Sequence, residues 1–200
     1  MSRIILLRHG RTQANDLHLY CGSTDLPLSE SGREELKLLR DSCIWPKIDS
    51  FRIFTSGMRR AEETLFLIYG DIPHETASDF REMDFGRFEM HSYEELCSDA
   101  EYRTWCDGDN ESNVAPGGES GNQMSERVIA AFDRVLSRGD DTLIVLHGGP
   151  IAAIMAYQFP EQGKNRFEWQ PKNGRGYLIE YNDGERTYCP IPAGGEKNGG

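Results

Sequence analysis

Two short, uninterrupted apolar runs, at residues 4–7 and 143–146, set the narrowest limits on the architecture of this chain. Continuous apolar strands of this kind are typical of parallel sheets whose two faces are both covered. Amphipathic helical patterns, each with its apolar residues on one stripe, lie along the chain beside these runs. The alternation predicts a three-layer α/β sandwich, in which a mostly parallel sheet carries helices on both faces.

Weaker patterns supply the remaining elements. The sequence predicts helices near residues 29–45, 58–69 and 124–138, and strands at 51–55 and ending near residue 80. Another helix follows the second apolar run, with Pro150 at a favourable first position. Near the carboxyl end, an Asn-Asp-Gly turn at 182–184 separates two strand patterns, which predicts an antiparallel hairpin at the edge of the sheet.

One stretch, from about residue 91 to 123, interrupts the alternation. It is polar and acidic, and it becomes rich in Pro and Gly at residues 115–118. We interpret it as a short helical cap insertion over the ligand-binding end of the sheet, not as a separate domain. Residues 1–193 then form a single domain, and the Gly-rich tail, 194–200, is expected to be disordered.

Composition and charge restrict the classes of function. The chain has 200 residues, 38% of them apolar, and a formal net charge of −11, which is typical of a soluble globular protein. The negative charge opposes binding to nucleic acid or to anionic membranes, although arginines gathered locally still allow a small anionic ligand. No apolar run is long enough for a membrane-spanning helix or for the core of a signal peptide.

The five cysteines are scattered and include no C-x-x-C pair. This usage predicts a cytoplasmic protein with free thiols. It also predicts that the chain holds no metal, because no cluster of Cys, His or carboxylate residues has the spacing of metal ligands.

Both apolar runs end in a histidine followed by a glycine. The first continues into Arg8-His9-Gly10, and the second into His147-Gly148 at the start of a predicted helix. In open α/β sheets the carboxyl ends of the strands are where ligands bind, and free N–H groups at a helix N-terminus attract anions. Taken singly, each histidine is as compatible with a hydrogen-bonded turn residue as with a functional group.

Two further segments place charged groups after predicted strands. Arg59 and Arg60 open a helix, where a guanidinium could bind phosphate oxygens in a bidentate manner or pair with neighbouring acids. Glu82 stands among apolar residues, where a carboxyl can act as an acid near neutral pH, or it pairs with a neighbouring arginine on the surface. Two histidines, arginines and one carboxyl at a single sheet edge suit nucleophilic attack on phosphorus.

These segments resemble the histidine phosphatase superfamily, which is also called the phosphoglycerate mutase-like family. Residues 8–15 match its R-H-G-x-T-x-x-N motif, and residues 56–64 match S-x-x-x-R-A-x-x-T. Residues 27–32 match P-L-[ST]-x-x-G, residues 82–86 match E-x-x-F-G, and His147 falls on the second histidine. The chain departs from the family at Gly57, where proline is usual.

The resemblance implies metal-independent hydrolysis of a phosphate ester, without a cofactor, through a phosphohistidine. It implies catalytic roles for His9 as the nucleophile, Glu82 as the acid, His147, Arg8 and Arg60. It implies phosphate or substrate binding by Arg8, Asn15, Gly22, Arg60 and Gly148. The implied partner is a small phosphate ester, with no nucleic acid or membrane, and the chain is expected to be a monomer or a homodimer.

Within the family, three features resemble the α-ribazole phosphatase branch. They are Leu19-Tyr20-x-Gly22, the run from 82 to 90, and Trp105. This branch implies α-ribazole 5′-phosphate, an intermediate of cobalamin biosynthesis, as the substrate. A phosphoglycerate mutase, a sugar phosphatase or bisphosphatase, and last a non-catalytic scaffold stay open as alternatives. Leu19 stands where many relatives carry a basic residue, which affects the expected substrate contacts.

Overall fold

The structure is a computed structural model that describes residues 1–108 and 111–194. Its strands are β1 (Ser2–Arg8), β2 (Arg52–Thr55), β3 (Glu75–Thr76), β4 (Thr142–Leu146), β5 (Gly176–Asn182) and β6 (Glu185–Ile191). Its α-helices are α1 (Gln13–Asp16), α2 (Glu30–Ser42), α3 (Arg59–Tyr69), α4 (Tyr93–Leu96), α5 (Ala100–Cys106), α6 (Gly121–Leu136), α7 (Gly148–Gln158) and α8 (Arg166–Trp169). Short 3-10 turns occur at Ser78–Phe80, Gly86–Phe88 and Pro160–Gln162.

The six strands form one sheet in the order β3-β2-β4-β1-β5-β6. The pairings of β1 with β4, β4 with β2 and β2 with β3 are parallel, whereas β5 and β6 are antiparallel to their neighbours. The turn that joins β5 to β6 has positive φ at both Asp183 and Gly184, as a two-residue hairpin turn requires. The predicted parallel sheet with an antiparallel edge hairpin is confirmed.

Side chains of the central strands alternate between two apolar clusters on opposite faces of the sheet. Ile4 and Leu6 of β1 belong to the cluster that includes residues of α6 and α7. Ile5 and Leu7 belong to the cluster that includes Ala61 and Leu65 of α3. Helices therefore cover both faces, and the predicted three-layer sandwich is confirmed.

Two local predictions are wrong. The third strand does not reach Phe80 but ends at Thr76, since its partner β2 ends at Thr55 and leaves no further residues with which to pair. Phe80 instead lies in a 3-10 turn and is buried in the core. Pro150 is the third residue of α7, because the helix begins at Gly148. Its missing N–H still falls in the first turn, where no intrahelical partner is needed.

The stretch predicted as a cap contains two short helices, α4 and α5, which pack on the main core through Leu96, Tyr102 and Trp105. The division into one domain with a cap insertion stays a prediction. Of the predicted disordered tail, residues 195–200 lie outside the described part of the chain. Within the described residues, no helix is long and apolar enough to cross a membrane. The five cysteines are free thiols.

Replacing Phe132 tests the core between the sheet and α6. Its ring is fully buried, so Phe132→Ala is expected to lower the free energy of unfolding by about 3–5 kcal/mol through lost burial and the cavity left behind. The control Phe66→Ala, on α3, removes a ring that is 60% exposed and should change stability by less than about 0.5 kcal/mol. Chemical denaturation measures both variants, and equal losses would contradict this description of the core.

Candidate active site

Parallel pairing of β1 with β4 brings the two predicted histidines together. The register aligns Arg8 with Leu146, so the residue after each strand lies at the same edge of the sheet. The His9 backbone N–H donates to the Leu146 carbonyl at 3.0 Å, and the ring centroids of His9 and His147 are 5.0 Å apart. The two predicted histidines are therefore neighbours.

The His9 ring is buried and has a fixed tautomer. Its Nδ1 lies 2.6 Å from the Gly10 carbonyl oxygen, which can only accept a hydrogen bond. Nδ1 must therefore carry the proton, and Nε2 keeps its lone pair when the ring is neutral. Burial lowers the pKa of His9 well below its usual value, and the charges of Arg60 and Arg8 lower it further. His9 is therefore a neutral imidazole with an unprotonated Nε2.

The backbone at His9 and Gly10 is held from two sides. Thr64 of α3 accepts the Gly10 N–H through its hydroxyl at 2.9 Å. The Asn173 amide donates to the His9 carbonyl at 3.1 Å and lies 3.3 Å from Oδ1 of Asn15. The same Asn15 oxygen accepts the Thr12 N–H in the capping box of α1. These bonds fix the direction in which the His9 ring points.

His147 is fully buried, and both of its ring nitrogens have partners. Nδ1 lies 3.2 Å from Nε of Arg60, which can only donate. The proton of the neutral ring is therefore on Nε2, which donates to the Ser56 hydroxyl at 2.8 Å. Burial is the main cause that lowers the pKa of His147 well below its usual value, with Arg60 adding to it. His147 has the opposite tautomer to His9.

Arg60 is 1% exposed and connects three parts of the site. Besides the contact with His147, it donates to the carbonyls of Gly22 at 2.7 Å and Thr24 at 2.8 Å. A guanidinium has five N–H donors, so these three bonds leave two for another acceptor. Arg59, the alternative candidate, is an exposed residue whose backbone N–H donates to Asp25.

A loop at residues 22–24 supplies those carbonyls, and Glu89 holds it in place. The Glu89 carboxylate accepts the backbone N–H groups of Gly22, Ser23 and Thr24 at 2.9, 3.0 and 3.2 Å. A Cβ at Gly22 would collide with the Met83 carbonyl oxygen, so only glycine fits there. Nothing in the sequence indicated this contact with the loop, and we identify Glu89 as a positioning residue for the loop and thereby for Arg60.

Glu82 lies at the amino end of α7. Its carboxylate accepts the N–H of Gly149 and that of Met83, both at 3.0 Å. The Glu82 carbonyl accepts from Arg127 of α6 at 2.9 Å, which anchors the backbone as well. The N-terminus of α7, which follows directly after His147, therefore holds the Glu82 carboxyl at the sheet edge.

Arg8 is the second cation of the site. One of its terminal nitrogens donates to the Pro171 carbonyl at 2.7 Å, while its Nε is buried and has no partner among the described residues. Burial lowers the pKa of Arg8, and the nearby Glu82 opposes this shift. A Cβ at Gly148 would lie 3.0 Å from the guanidinium carbon of Arg8, so glycine there permits the close approach.

A cavity of about 320 Å³ opens at this edge. It is lined by Arg8, Asn15, Leu19, Tyr20, Cys21, Glu82, Met83, Phe85, Trp105, Cys106, Gly149, Arg166, Phe167 and Gln170. Three of the predicted site residues, Arg8, Asn15 and Glu82, line it directly. The other predicted residues are buried and do not form part of the lining; these are His9, Gly22, Arg60, His147 and Gly148.

Sequence reasoning missed the side of the cavity formed by Arg166, Phe167 and Gln170. These residues lie on or next to the four-residue helix α8. The available signal is a capping box, in which Asn165 and Glu168 cap each other's backbone N–H groups. That pattern marks the start of a helix but gives no indication of what the helix faces.

His9 and His147 are buried, whereas His74 contacts acceptors near the surface, so we expect the rings to titrate differently. His9 and His147 should stay neutral at pH 6.5, because burial lowers the pKa of both. His74 should be more than half protonated at that pH, since its contacts with the Ile72 carbonyl and Glu62 raise its pKa. Long-range ¹H–¹⁵N correlation spectra report the charge and tautomer of each ring. Protonation of His9 at or above pH 6.5 would contradict this assignment.

Known proteins share this arrangement of elements. The family model of the histidine phosphatase superfamily (branch 1) matches residues 4–189. The adenosylcobalamin/alpha-ribazole phosphatase of Salmonella typhimurium (strain LT2) is 30% identical over 191 residues, which covers 92% of this chain and 93% of that protein.

Solved structures agree with that result. The alpha-ribazole phosphatase of Shigella flexneri superimposes with a TM-score of 0.80 at 27% identity, and the match covers 98% of this chain and 100% of that chain. A phosphoglycerate mutase of Bacillus anthracis has a TM-score of 0.71 at 21% identity over 96% of this chain and 93% of that one, which shows the shared fold alone. The family model, the full-length relative and the common fold together establish that this chain belongs to the histidine phosphatase superfamily.

Proposed function

We propose that this protein is a phosphomonoesterase that needs no metal and hydrolyses its substrate through a phosphohistidine on His9. The observation that carries the proposal is the tautomer and charge of the His9 ring. Nδ1–H donates to the Gly10 carbonyl and burial keeps the ring neutral, so Nε2 offers a lone pair to an electrophile. A neutral histidine beside two arginines suits attack on a phosphoryl group.

In the first half of the reaction, Nε2 of His9 forms a bond to phosphorus while the bond to the ester oxygen breaks. Phosphoryl transfer depends mainly on positioning and on neutralising the charge of the equatorial oxygens. Arg8 lines the cavity, and Arg60 is held by the carbonyls of Gly22 and Thr24 with two N–H donors left over. We assign both guanidinium groups to the phosphoryl oxygens, with Asn15 beside Arg8 in the cavity wall.

His147 has a supporting part in this scheme. Its two ring nitrogens bond to Arg60 and Ser56, so the neutral ring has no N–H left for a phosphoryl oxygen while these bonds persist. Its contact with Nε of Arg60 fixes the rotation of that guanidinium. We therefore assign His147 the task of orienting Arg60, and contact with phosphate would require the bond to Ser56 to open.

Glu82 is assigned the proton transfers. The departing alkoxide of the substrate takes a proton from the Glu82 carboxyl. The resulting carboxylate then removes a proton from water, whose oxygen attacks the phosphohistidine and releases phosphate. Glu82 lines the cavity, and the N–H groups of Met83 and Gly149 fix its carboxyl. Asp84 and Glu89 are weaker candidates, because neither lines the cavity. The Glu89 carboxylate also accepts the backbone N–H groups of the 22–24 loop and of Phe85.

We propose α-ribazole 5′-phosphate as the substrate. The similarity to the adenosylcobalamin/alpha-ribazole phosphatase of Salmonella typhimurium covers nearly the full length of both chains, which supports this choice. The similarity to the solved alpha-ribazole phosphatase of Shigella flexneri supports it as well. The likeness to a phosphoglycerate mutase lies at the level of the fold and does not favour that reaction.

Phosphoenzyme trapping tests the proposed function. The wild type, in excess EDTA, should release phosphate from p-nitrophenyl phosphate and form an acid-labile, alkali-stable phosphoenzyme. His9→Ala should lose both, because the attacking nitrogen is gone. The matched control His91→Ala replaces an exposed histidine outside the cavity and should retain both. Turnover by His9→Ala near the wild-type rate, or activity that only zinc or magnesium restores, would refute the mechanism.

Glu82→Gln separates proton transfer from positioning. The amide keeps the shape of the side chain but has no proton to give to an alkoxide. We expect kcat/KM to fall by ~10²–10⁴-fold on α-ribazole 5′-phosphate, which has a poor leaving group, and by less on p-nitrophenyl phosphate. Arg60→Ala should lower kcat/KM on both esters alike, by ~10²-fold or more. Equal losses in Glu82→Gln would mean that Glu82 positions groups and is not the acid.

A further inference from the structure

The cavity has two chemically different ends. Arg8, Asn15, Glu82 and the backbone of Gly149 form the polar end, where the phosphoryl group is proposed to react. Away from these groups, most of the lining is apolar, and four of its side chains are aromatic: Tyr20, Phe85, Trp105 and Phe167. The alcohol portion of an ester held at the polar end must occupy the rest of the cavity.

Three of these rings pack together as a wall. The ring centroids of Tyr20 and Phe85 are 5.2 Å apart, and Trp105 meets Tyr20 edge-on at 5.9 Å. The hydroxyl of Tyr20 is already engaged, since it lies 2.6 Å from the hydroxyl of Tyr102. The indole N–H of Trp105 has no partner among the described residues, but its nitrogen is buried. The wall therefore offers mainly ring surface to the cavity.

Phe167, on the short helix α8, contributes the fourth aromatic ring of the lining. Its side chain is 74% exposed. Among the described residues, no other strongly exposed large apolar side chain lines this cavity. Its helix is fixed by the buried Trp169 on one side. On the other, Arg166 donates to Glu111 at 2.6 Å. An anchored helix thus holds an apolar ring in water at the site.

The charges of the lining exclude a second anionic group on the substrate. Two of the lining residues are cations, Arg8 and Arg166. Arg8 lies at the polar end, and Arg166 is already neutralised by the Glu111 carboxylate. A carboxylate or a second phosphate on the alcohol would have to be desolvated without an available cation, which is costly.

We infer that Tyr20, Phe85, Trp105 and Phe167 form a subsite for a flat, uncharged aromatic ring carried by the alcohol of the phosphate ester. Phe167 is its specificity-determining residue, because a ligand ring would cover the surface that it exposes to water. This inference rests on the proposed function, and it assigns the subsite to the heteroaromatic base of α-ribazole 5′-phosphate. The subsite also disfavours phosphoglycerate as a substrate, because the carboxylate of phosphoglycerate would have no available cation among these rings.

A comparison of α-ribazole 5′-phosphate with ribose 5-phosphate tests the subsite, because the two esters share the reacting group and differ in the base. The wild type should prefer α-ribazole 5′-phosphate by about 10-fold or more in kcat/KM. Phe167→Ala should lower kcat/KM on that ester by about 5- to 10-fold, mainly through KM, and change ribose 5-phosphate by less than about 2-fold. The ring is exposed, so the variant is expected to fold, and unchanged activity on ribose 5-phosphate verifies this.

The control Phe66→Ala removes a ring from α3 that is also strongly exposed, at 60%, but lies outside the cavity, and it should change kcat/KM for neither ester. Equal kcat/KM values for the two esters in the wild type would overturn the inference, as would an equal loss on both esters in Phe167→Ala. Failure of the proposed function has a different signature. If the protein is not a phosphomonoesterase, the wild type would release phosphate from none of the three esters, including p-nitrophenyl phosphate. A failed subsite would instead leave hydrolysis of p-nitrophenyl phosphate intact.

Discussion

The site is organised around a buried guanidinium. Taking a charge such as that of Arg60 out of water is costly unless hydrogen bonds replace its hydration. The replacement comes from the carbonyls of Gly22 and Thr24 and from the ring of His147. The carbonyls can face the guanidinium only because Glu89 binds the N–H groups of the same loop. A positive charge, a loop and a histidine tautomer are thus fixed by one set of contacts.

Sequence reasoning located the part of this arrangement that follows from strand pairing. The apolar runs that end at His9 and His147 can be recognised in the sequence, and parallel neighbours must end at the same edge of the sheet. Reasoning from residues alone left Arg59 and Arg60 as equal candidates, and only the resemblance to the family chose Arg60. The structure gives a physical reason for that choice, since Arg60 turns inward towards the loop carbonyls.

The contacts that sequence reasoning missed depend on groups with no sequence signature. The partners of Arg60 are backbone carbonyls, which every residue carries, so nothing in the sequence identifies Gly22 and Thr24 as acceptors. Glu89 is one of many acidic residues, and its role depends on a loop far away along the chain. Phe167 follows a recognisable capping pattern, but the packing of Trp169 and the pair between Arg166 and Glu111 decide where its ring lies.

Burial shifts the pKa of both kinds of cationic group at this edge in the same direction, but the two groups end in different charge states because their usual pKa values differ. Removal from water lowers the pKa of His9 and also that of Arg60. The usual pKa of histidine is near neutrality, so burial leaves the imidazole uncharged, with a lone pair on Nε2. The usual pKa of arginine is so high that its guanidinium stays protonated. Burial at this edge therefore yields a neutral imidazole next to fixed positive charge, as the mechanism proposed above requires. A site that attacks a phosphoryl group needs both, since the histidine must keep its lone pair while the arginines neutralise the oxygens.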